Sequence, residues 1–282
     1  MALTLMYITN HPQVARIAQD AGVDRVWVDL ETIGKEERQR GMNTVKSFHK
    51  MEDVATLRKV LTTSQLLVRV NPIHEAVNGY CRSEEEIDEV VRSGADVVML
   101  PMFRTVEEVE RFVASVDGRA RVLLLVETKE AVERIDEILA VPGVDEVYIG
   151  LNDLHLAYGQ HFMFEPLCDG KVERLSRKFR EAGIPFGFGG IARVGYGMLP
   201  AEYIIAEHYR LGSRAAILSR SFCNMNMVTD PEEAKELFLK GVADIRARER
   251  QCERFTEADF AANHEEVVRR VAAIVSNARV KE

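Results

Sequence analysis

The sequence predicts a single (β/α)8 barrel, on three observations. Eight short apolar runs rich in Val, Ile and Leu recur along the chain, of the kind that suits parallel strands buried on both faces. Amphipathic stretches separate them, and several end in Gly-Val-Asp, Gly-Ala-Asp or Gly-Ile-Pro, which stop a helix and feed the next strand. The first strand is followed by Ile8-Thr9-Asn10-His11-Pro12 and not by G-x-G-x-x-G, which argues against a doubly wound nucleotide-binding sheet. The length of 282 residues fits, since such a barrel uses about 250 as one domain.

The elements follow in order. Leu3–Ile8 is the first strand, followed by helix Pro12–Ala21. Arg25–Leu30 is the second, and a long connection from Glu31 to Glu52 leads to helix Asp53–Leu61. Strands Leu66–Val70, Asp96–Leu100 and Val122–Val126 are each followed by a helix, at Glu84–Ser93, Val106–Val116 and Lys129–Leu139. After strand Glu146–Ile149 a second long connection, Asp153–Asp169, precedes helix Val172–Ala182. Pro185–Gly189, helix Ala201–Tyr209 and Ala215–Leu218 complete the barrel. Helices Pro231–Glu249 and Glu257–Ala278 follow where a barrel needs only one. Residues 1–250 are therefore assigned to the barrel and 251–282 to a helical extension. Its apolar stripe, Phe260, Val267, Val271 and Ile274, is expected to pack on a partner subunit. Both long connections fall at the rim where barrels build active sites.

Composition narrows the function. Hydrophobic residues at 46% and charged residues at 29% exclude a disordered or collagen-like chain. No apolar run approaches the ~18 residues of a membrane span, and the N-terminus lacks the basic start of a signal peptide. With a net charge of −8 and no basic block, nucleic acid and anionic membrane are poor partners. Cys81, Cys168, Cys223 and Cys252 are widely spaced without a C-x-x-C pair, which fits a reducing cytoplasm and argues against disulfides or a zinc cluster.

The residues just past each strand decide a barrel's chemistry. Glu127 and Asp153 end strands five and six, and neighbouring strands lie ~4.8 Å apart, so the two carboxylates can share one Mg²⁺ or Mn²⁺. The alternative makes each a cap of the helix that follows. Arg69 sits inside an apolar run and must find an anion: Asp29 or Glu31 on strand two, or a substrate carboxylate or enolate. No lysine lies in a predicted strand, which disfavours a Schiff base. Gly187-Phe188-Gly189-Gly190-Ile191, with Arg193 and Arg220 nearby, reads either as a phosphate-binding turn or as a tight turn using glycine freedom. His11, His49 and His155 fall in rim loops.

Val28-Asp29-Leu30-Glu31, Val68-Arg69-Val70-Asn71-Pro72, Met99-Leu100-Pro101-Met102, Val126-Glu127-Thr128-Lys129-Glu130-Ala131 and the segment Val144–Leu154 resemble the HpcH/HpaI aldolase and citrate lyase family. The resemblance covers most of residues 1–220 and implies a phosphoenolpyruvate/pyruvate-type barrel with a C-terminal helix exchanged between subunits of a dimer or a trimer of dimers. It implies class II chemistry, dependent on Mg²⁺, Mn²⁺ or another divalent cation, that makes or breaks carbon–carbon bonds between a 2-oxo acid and an aldehyde. Carried over, Glu127 and Asp153 are the metal ligands and Arg69 holds the oxo-acid carbonyl or enolate. Asp29 joins the catalytic set, and Glu31, Pro101, Asn152 and Gly190 are placed with substrate binding. Where the family's 2-oxo-acid aldolases have a proton-moving histidine after Asp-x-Glu, this chain has Thr32, so His49 is expected to take that role. The rivals are a citryl- or malyl-CoA lyase, for which Arg193, Arg214 and Arg220 form the only basic cluster, and a barrel that binds a small acid without turnover.

Overall fold

The computed structural model describes residues 2–35, 49–77, 79–219, 222–223, 228 and 230–279. Its strands are β1 Thr4–Ile8, β2 Arg25–Asp29, β3 Gln65–Arg69, β4 Val97–Leu100, β5 Arg121–Val126, β6 Glu146–Ile149, β7 Phe186–Ile191 and β8 Ala215–Leu218. They close a barrel in chain order, every pairing parallel. The predicted strands all recur, two with unchanged bounds and the others with one or both ends moved by at most two residues.

The described helices are α1 Pro12–Asp20, α2 Met51–Arg58, α3 Ser83–Arg92, α4 Val106–Val116, α5 Lys129–Glu133, α6 Ile135–Leu139, α7 Leu151–Ala157, α8 Glu165–Cys168, α9 Lys171–Glu181, α10 Ala201–Leu211, α11 Pro231–Cys252 and α12 Glu257–Arg279. The one helix expected over Lys129–Leu139 is interrupted at Arg134, which leaves helical geometry at φ −99°, ψ 16°. The second long connection is not open loop, because α7 and α8 lie within or beside it.

Each strand is buried on both faces. The outward face packs on the helices in one continuous core. The inward face forms a smaller cluster of Met6, Trp27, Leu67, Val97, Met99, Leu123, Leu125, Tyr148 and Ala215. Because side chains alternate along a strand, the positions two beyond Trp27, Leu67 and Leu125 also point inward. They are Asp29, Arg69 and Glu127, so the pleat itself delivers the site to the C-terminal mouth. The opposite end is closed by Arg25, whose Nη1 and Nη2 both donate to Glu146 at 2.7 Å.

The Gly187–Ile191 segment is strand β7 and not a turn beyond it. Gly187 is required there because a Cβ would run into the Tyr148 ring and the Ala215 carbonyl. The Tyr148 hydroxyl donates to the Gly189 carbonyl and accepts from Ile217 N–H, bridging the register shift between β7 and β8. Arg193 follows β7 at the mouth, whereas Arg214 opens β8 and lines a cavity at the other end with Arg25 and Arg121. Arg220 lies outside the described residues, so the described part of the cluster offered for CoA does not converge.

Helix α12 packs against α10 and α8 of its own chain. Val267 and Val271 are buried there, and Phe260 and Ile274 are half-buried. The stripe expected to need a partner is therefore largely covered within the chain. Among the described residues, no helix is long and apolar enough to cross a membrane.

Candidate active site

Asp29 and Arg69 face each other in register on β2 and β3. Arg69 Nε donates to Asp29 Oδ1 and Nη2 to Oδ2, both at 2.8 Å, a bidentate fork. The same Nη2 lies 3.1 Å from Glu31 Oε2. The guanidinium also sits 5.0 Å from the centre of the Trp27 ring below it. Both structural partners weighed for Arg69 are thus present, and among the described residues Nη1 makes no hydrogen bond. Burial alone would raise the Asp29 carboxyl, but the guanidinium and the Lys35 ammonium outweigh it and hold it well below the usual carboxylate range.

Across the mouth stands Glu127. Thr128, not Glu127, caps α5, its hydroxyl accepting from Ala131 N–H at 3.2 Å. Gly150, not Asp153, is the N-cap residue of α7, and Asp153 lies in that helix's first turn. The capping alternative therefore fails for both carboxylates. Glu127 Oε1 accepts from Met102 N–H at 3.1 Å. Met102 holds φ 55°, a left-handed conformation that a side chain makes costly, and this aims its N–H at the carboxylate. Gly150 has to be glycine, since a Cβ would stand 2.6 Å from Glu127 Oε2. Burial, then the neighbouring charges of Asp153 and Glu31, raise the Glu127 carboxyl well above its ordinary value.

The donor set fits a hard divalent cation. Glu127 and Asp153 supply carboxylate oxygens, and no group of three His, Cys, Asp or Glu that could hold a metal occurs among the described residues. Arg69 and Lys35 both lie against Asp29 and Glu31 on the facing side of the mouth. Beside the pair runs a cleft of about 360 Å³ lined by Met102, Arg104, Glu127, Lys129 and Asp153 among others.

His49 does reach Asp29, but in an unexpected role. Its Nδ1 accepts the Asp29 backbone N–H at 3.0 Å. A neutral ring accepting at Nδ1 carries its hydrogen on Nε2, so neither nitrogen is free to take a proton from substrate. Burial lowers its pKa below the ordinary histidine value, although Asp29 and Asp53 oppose this. We expect His49→Ala to slow turnover less than about 10-fold, short of the ~10²-fold or more of a lost general base. Steady-state kinetics decide this, and a larger loss would restore the base. His155, in α7, is buried and its Nδ1 donates to Leu151 O at 3.1 Å. Residues 36–48 of the long loop lie outside the described residues.

Of the other expected contacts, Pro101 is buried just before Met102, Asn152 is exposed on α7, and Gly190 lies on β7 across the barrel. Sequence reasoning missed Lys35 and the roles of Met102 and Gly150. Thr32, at the position of the expected histidine, is tied to Asn71: its N–H donates to Asn71 Oδ1 at 2.8 Å.

A barrel whose mouth sets two carboxylates against a guanidinium suits a carbon–carbon lyase of the aldolase type, and similarity to known proteins places the chain there. The chain belongs to the HpcH/HpaI aldolase/citrate lyase family, whose model matches residues 3–164. The 2-keto-3-deoxy-L-rhamnonate aldolase of Escherichia coli (strain K12) is 26% identical over 211 residues, covering 64% of this chain and 71% of that protein. The HpcH/HpaI aldolase from Desulfitobacterium hafniense DCB-2 superposes with a TM-score of 0.58 at 19% identity, over 77% of this chain and 86% of that one. The citrate synthase SbnG does so with a TM-score of 0.60 at 17% identity, over 83% and 94%. Those two structures share the fold. The protein is an enzyme, which sets aside a barrel without turnover, and its family is divalent-metal dependent.

Proposed function

We propose that this protein makes and breaks the carbon–carbon bond of a 4-hydroxy-2-oxo acid, with Glu127 and Asp153 holding a divalent cation. The observation that carries the reading is the pairing of buried Glu127 with half-buried Asp153, set across the mouth from Arg69. When bound, the cation supplies a Lewis acid for the carboxylate and carbonyl oxygens of the oxo acid. Arg69, held rigid by Asp29 and Glu31, keeps Nη1 for the oxygen on which enolate charge develops. Gly150 and Met102 hold Glu127 in place. With His49 committed to a backbone N–H and His155 absent from the cleft lining, a water molecule in the cleft is left to take the proton of the substrate hydroxyl.

Exchange of pyruvate methyl protons into deuterated water tests this without knowledge of the aldehyde. Exchange should occur with Mg²⁺ or Mn²⁺ and stop with EDTA; metal-independent exchange would sink the reading. Borohydride with pyruvate should leave the protein mass unchanged, because no lysine lies on a barrel strand and the Lys35 Nζ is taken up by Asp29 Oδ2 at 2.6 Å. A reduced adduct on Lys35 would overturn that. We propose a homo-oligomer on the family resemblance alone; a monomeric mass by light scattering at micromolar protein would count against it.

A further inference from the structure

The ladder between β2 and β3 ends at Asp29 and Arg69, with a last backbone bond from Leu30 N–H to the Arg69 carbonyl at 2.9 Å. Beyond it the Asn71 side chain takes over as the next rung. Its Oδ1 accepts from Thr32 N–H at 2.8 Å, from Ile33 N–H at 2.9 Å and from the Thr32 hydroxyl at 3.3 Å. One amide oxygen thus holds the chain that leaves Glu31, whose carboxylate lies 3.1 Å from Arg69 Nη2.

A buried amide presents its oxygen to one side only if its nitrogen finds an acceptor on the other. Here the acceptor is Glu86 of α3, whose Oε1 takes Asn71 Nδ2–H at 2.9 Å and Asn71 N–H at 3.2 Å. Glu86 Oε2 is buried without a hydrogen-bond partner, and among the described residues Glu86 forms no ion pair. Burial raises its carboxyl above the ordinary value, and Oε1 accepts in either protonation state. Its neighbours on the buried face of α3 include Ile87 and Val90. A residue needed only to fill that space would be apolar like them, because burying a polar oxygen without a partner is costly.

We propose, resting on the reading of Arg69 above, that Glu86 is a positioning residue. It fixes the Asn71 amide, Asn71 holds the Thr32–Ile33 backbone, and that backbone sets how Glu31 meets Arg69. This chain of contacts ends on the β2 and β3 side of the mouth, across from Glu127 and Asp153. The role therefore has a signature that general loosening of the barrel lacks. Removing the Glu86 acceptor slows the chemistry that Arg69 serves and leaves cation binding alone, whereas loss of structure weakens both.

Two measurements on the full chain read this: exchange of pyruvate methyl protons into deuterated water at saturating Mn²⁺, and Mn²⁺ affinity by calorimetry. In Glu86→Met, kcat for exchange is expected to fall about 10-fold, a fraction of the ~10²-fold that a misplacement of ~1 Å costs, with Mn²⁺ affinity at the parent's value. Asn71→Ala should fall at least as far, and the double variant should be no slower than Asn71→Ala, since both act through one chain of contacts. Glu86→Gln keeps an oxygen for Nδ2–H and should recover most of the rate. A folded Glu86→Met protein with the parent's kcat, one that loses Mn²⁺ affinity in step with kcat, or losses that multiply in the double variant, overturns the proposal. If Glu86→Met does not fold, Glu86→Ala carries the same measurements. A parent protein that exchanges no pyruvate protons with Mn²⁺ present defeats the proposed function and this inference with it, and so is told apart from a failure confined to Glu86.

Discussion

Chelation of divalent cations should abolish turnover, with Mg²⁺ or Mn²⁺ restoring it, and Glu127→Gln or Asp153→Asn should lower kcat/KM by about 10³-fold or more, the several kcal/mol that a positioned Lewis acid supplies. The same variants should not unfold the protein. Glu127 is buried among like charges and holds its proton more tightly than an ordinary carboxyl. Because that raised value belongs to the folded state, metal-free stability should decline as pH rises through and above the ordinary carboxylate range. Glu127→Gln removes the charge responsible and should raise the metal-free melting temperature while destroying activity. A cation competes with the proton on Glu127, so its affinity should increase with pH and its binding should release protons. Calorimetry in buffers of different ionisation enthalpy measures that release. Full activity in metal-free buffer would defeat the assignment.

Arg69→Met should be nearly as damaging, and in two currencies. It strips the bidentate partner from Asp29 and a guanidinium 3.1 Å away from Glu31, two carboxylates that are each 2% exposed. Leaving a buried charge without its partner costs about 3–5 kcal/mol, which denaturant unfolding resolves easily. The loss should shrink in acid: Asp29 is held ionised well below the usual range in the folded state, so its contribution to stability is present above the ordinary aspartate value and fades as pH falls below it. Arg69→Lys separates the two roles. It keeps a positive charge but lacks the fork, and kcat should fall about 10²-fold, the scale of one lost oxyanion donor. Unimpaired kcat in a stably folded Arg69→Lys protein would make Arg69 purely structural.

The barrel was legible because strands buried on both faces leave continuous Val, Ile and Leu runs, as in Leu66-Leu67-Val68 and Val122-Leu123-Leu124-Leu125-Val126. Asp29, Arg69 and Glu127 were legible for a related reason: each lies at or next to a strand end in phase with inward residues, so strand periodicity places it without knowledge of any loop. Lys35 was invisible because its approach depends on the path taken after Glu31, which no periodicity describes. Met102 and Gly150 matter through a positive φ and a missing Cβ, properties of the backbone that a residue name reveals only after the neighbour is known. His49 was found, but its contact was not legible, since a ring nitrogen's partner is fixed by what the other atoms offer it, here the Asp29 N–H. The C-terminal stripe was read correctly as apolar; which surface covers it is a tertiary fact that the stripe does not encode.

Trp27 is the only tryptophan in the chain, it is 6% exposed, and the Arg69 guanidinium lies 5.0 Å from its ring. Excited at the long-wavelength edge where tyrosine does not absorb, the protein therefore emits from a single indole on the floor of the mouth, shielded from water and within reach of the Arg69 charge. That makes the protein its own optical gauge. Rapid mixing with pyruvate should give an intensity change whose rate and amplitude report arrival of the oxo acid, and the signal should vanish in a Trp27→Phe protein.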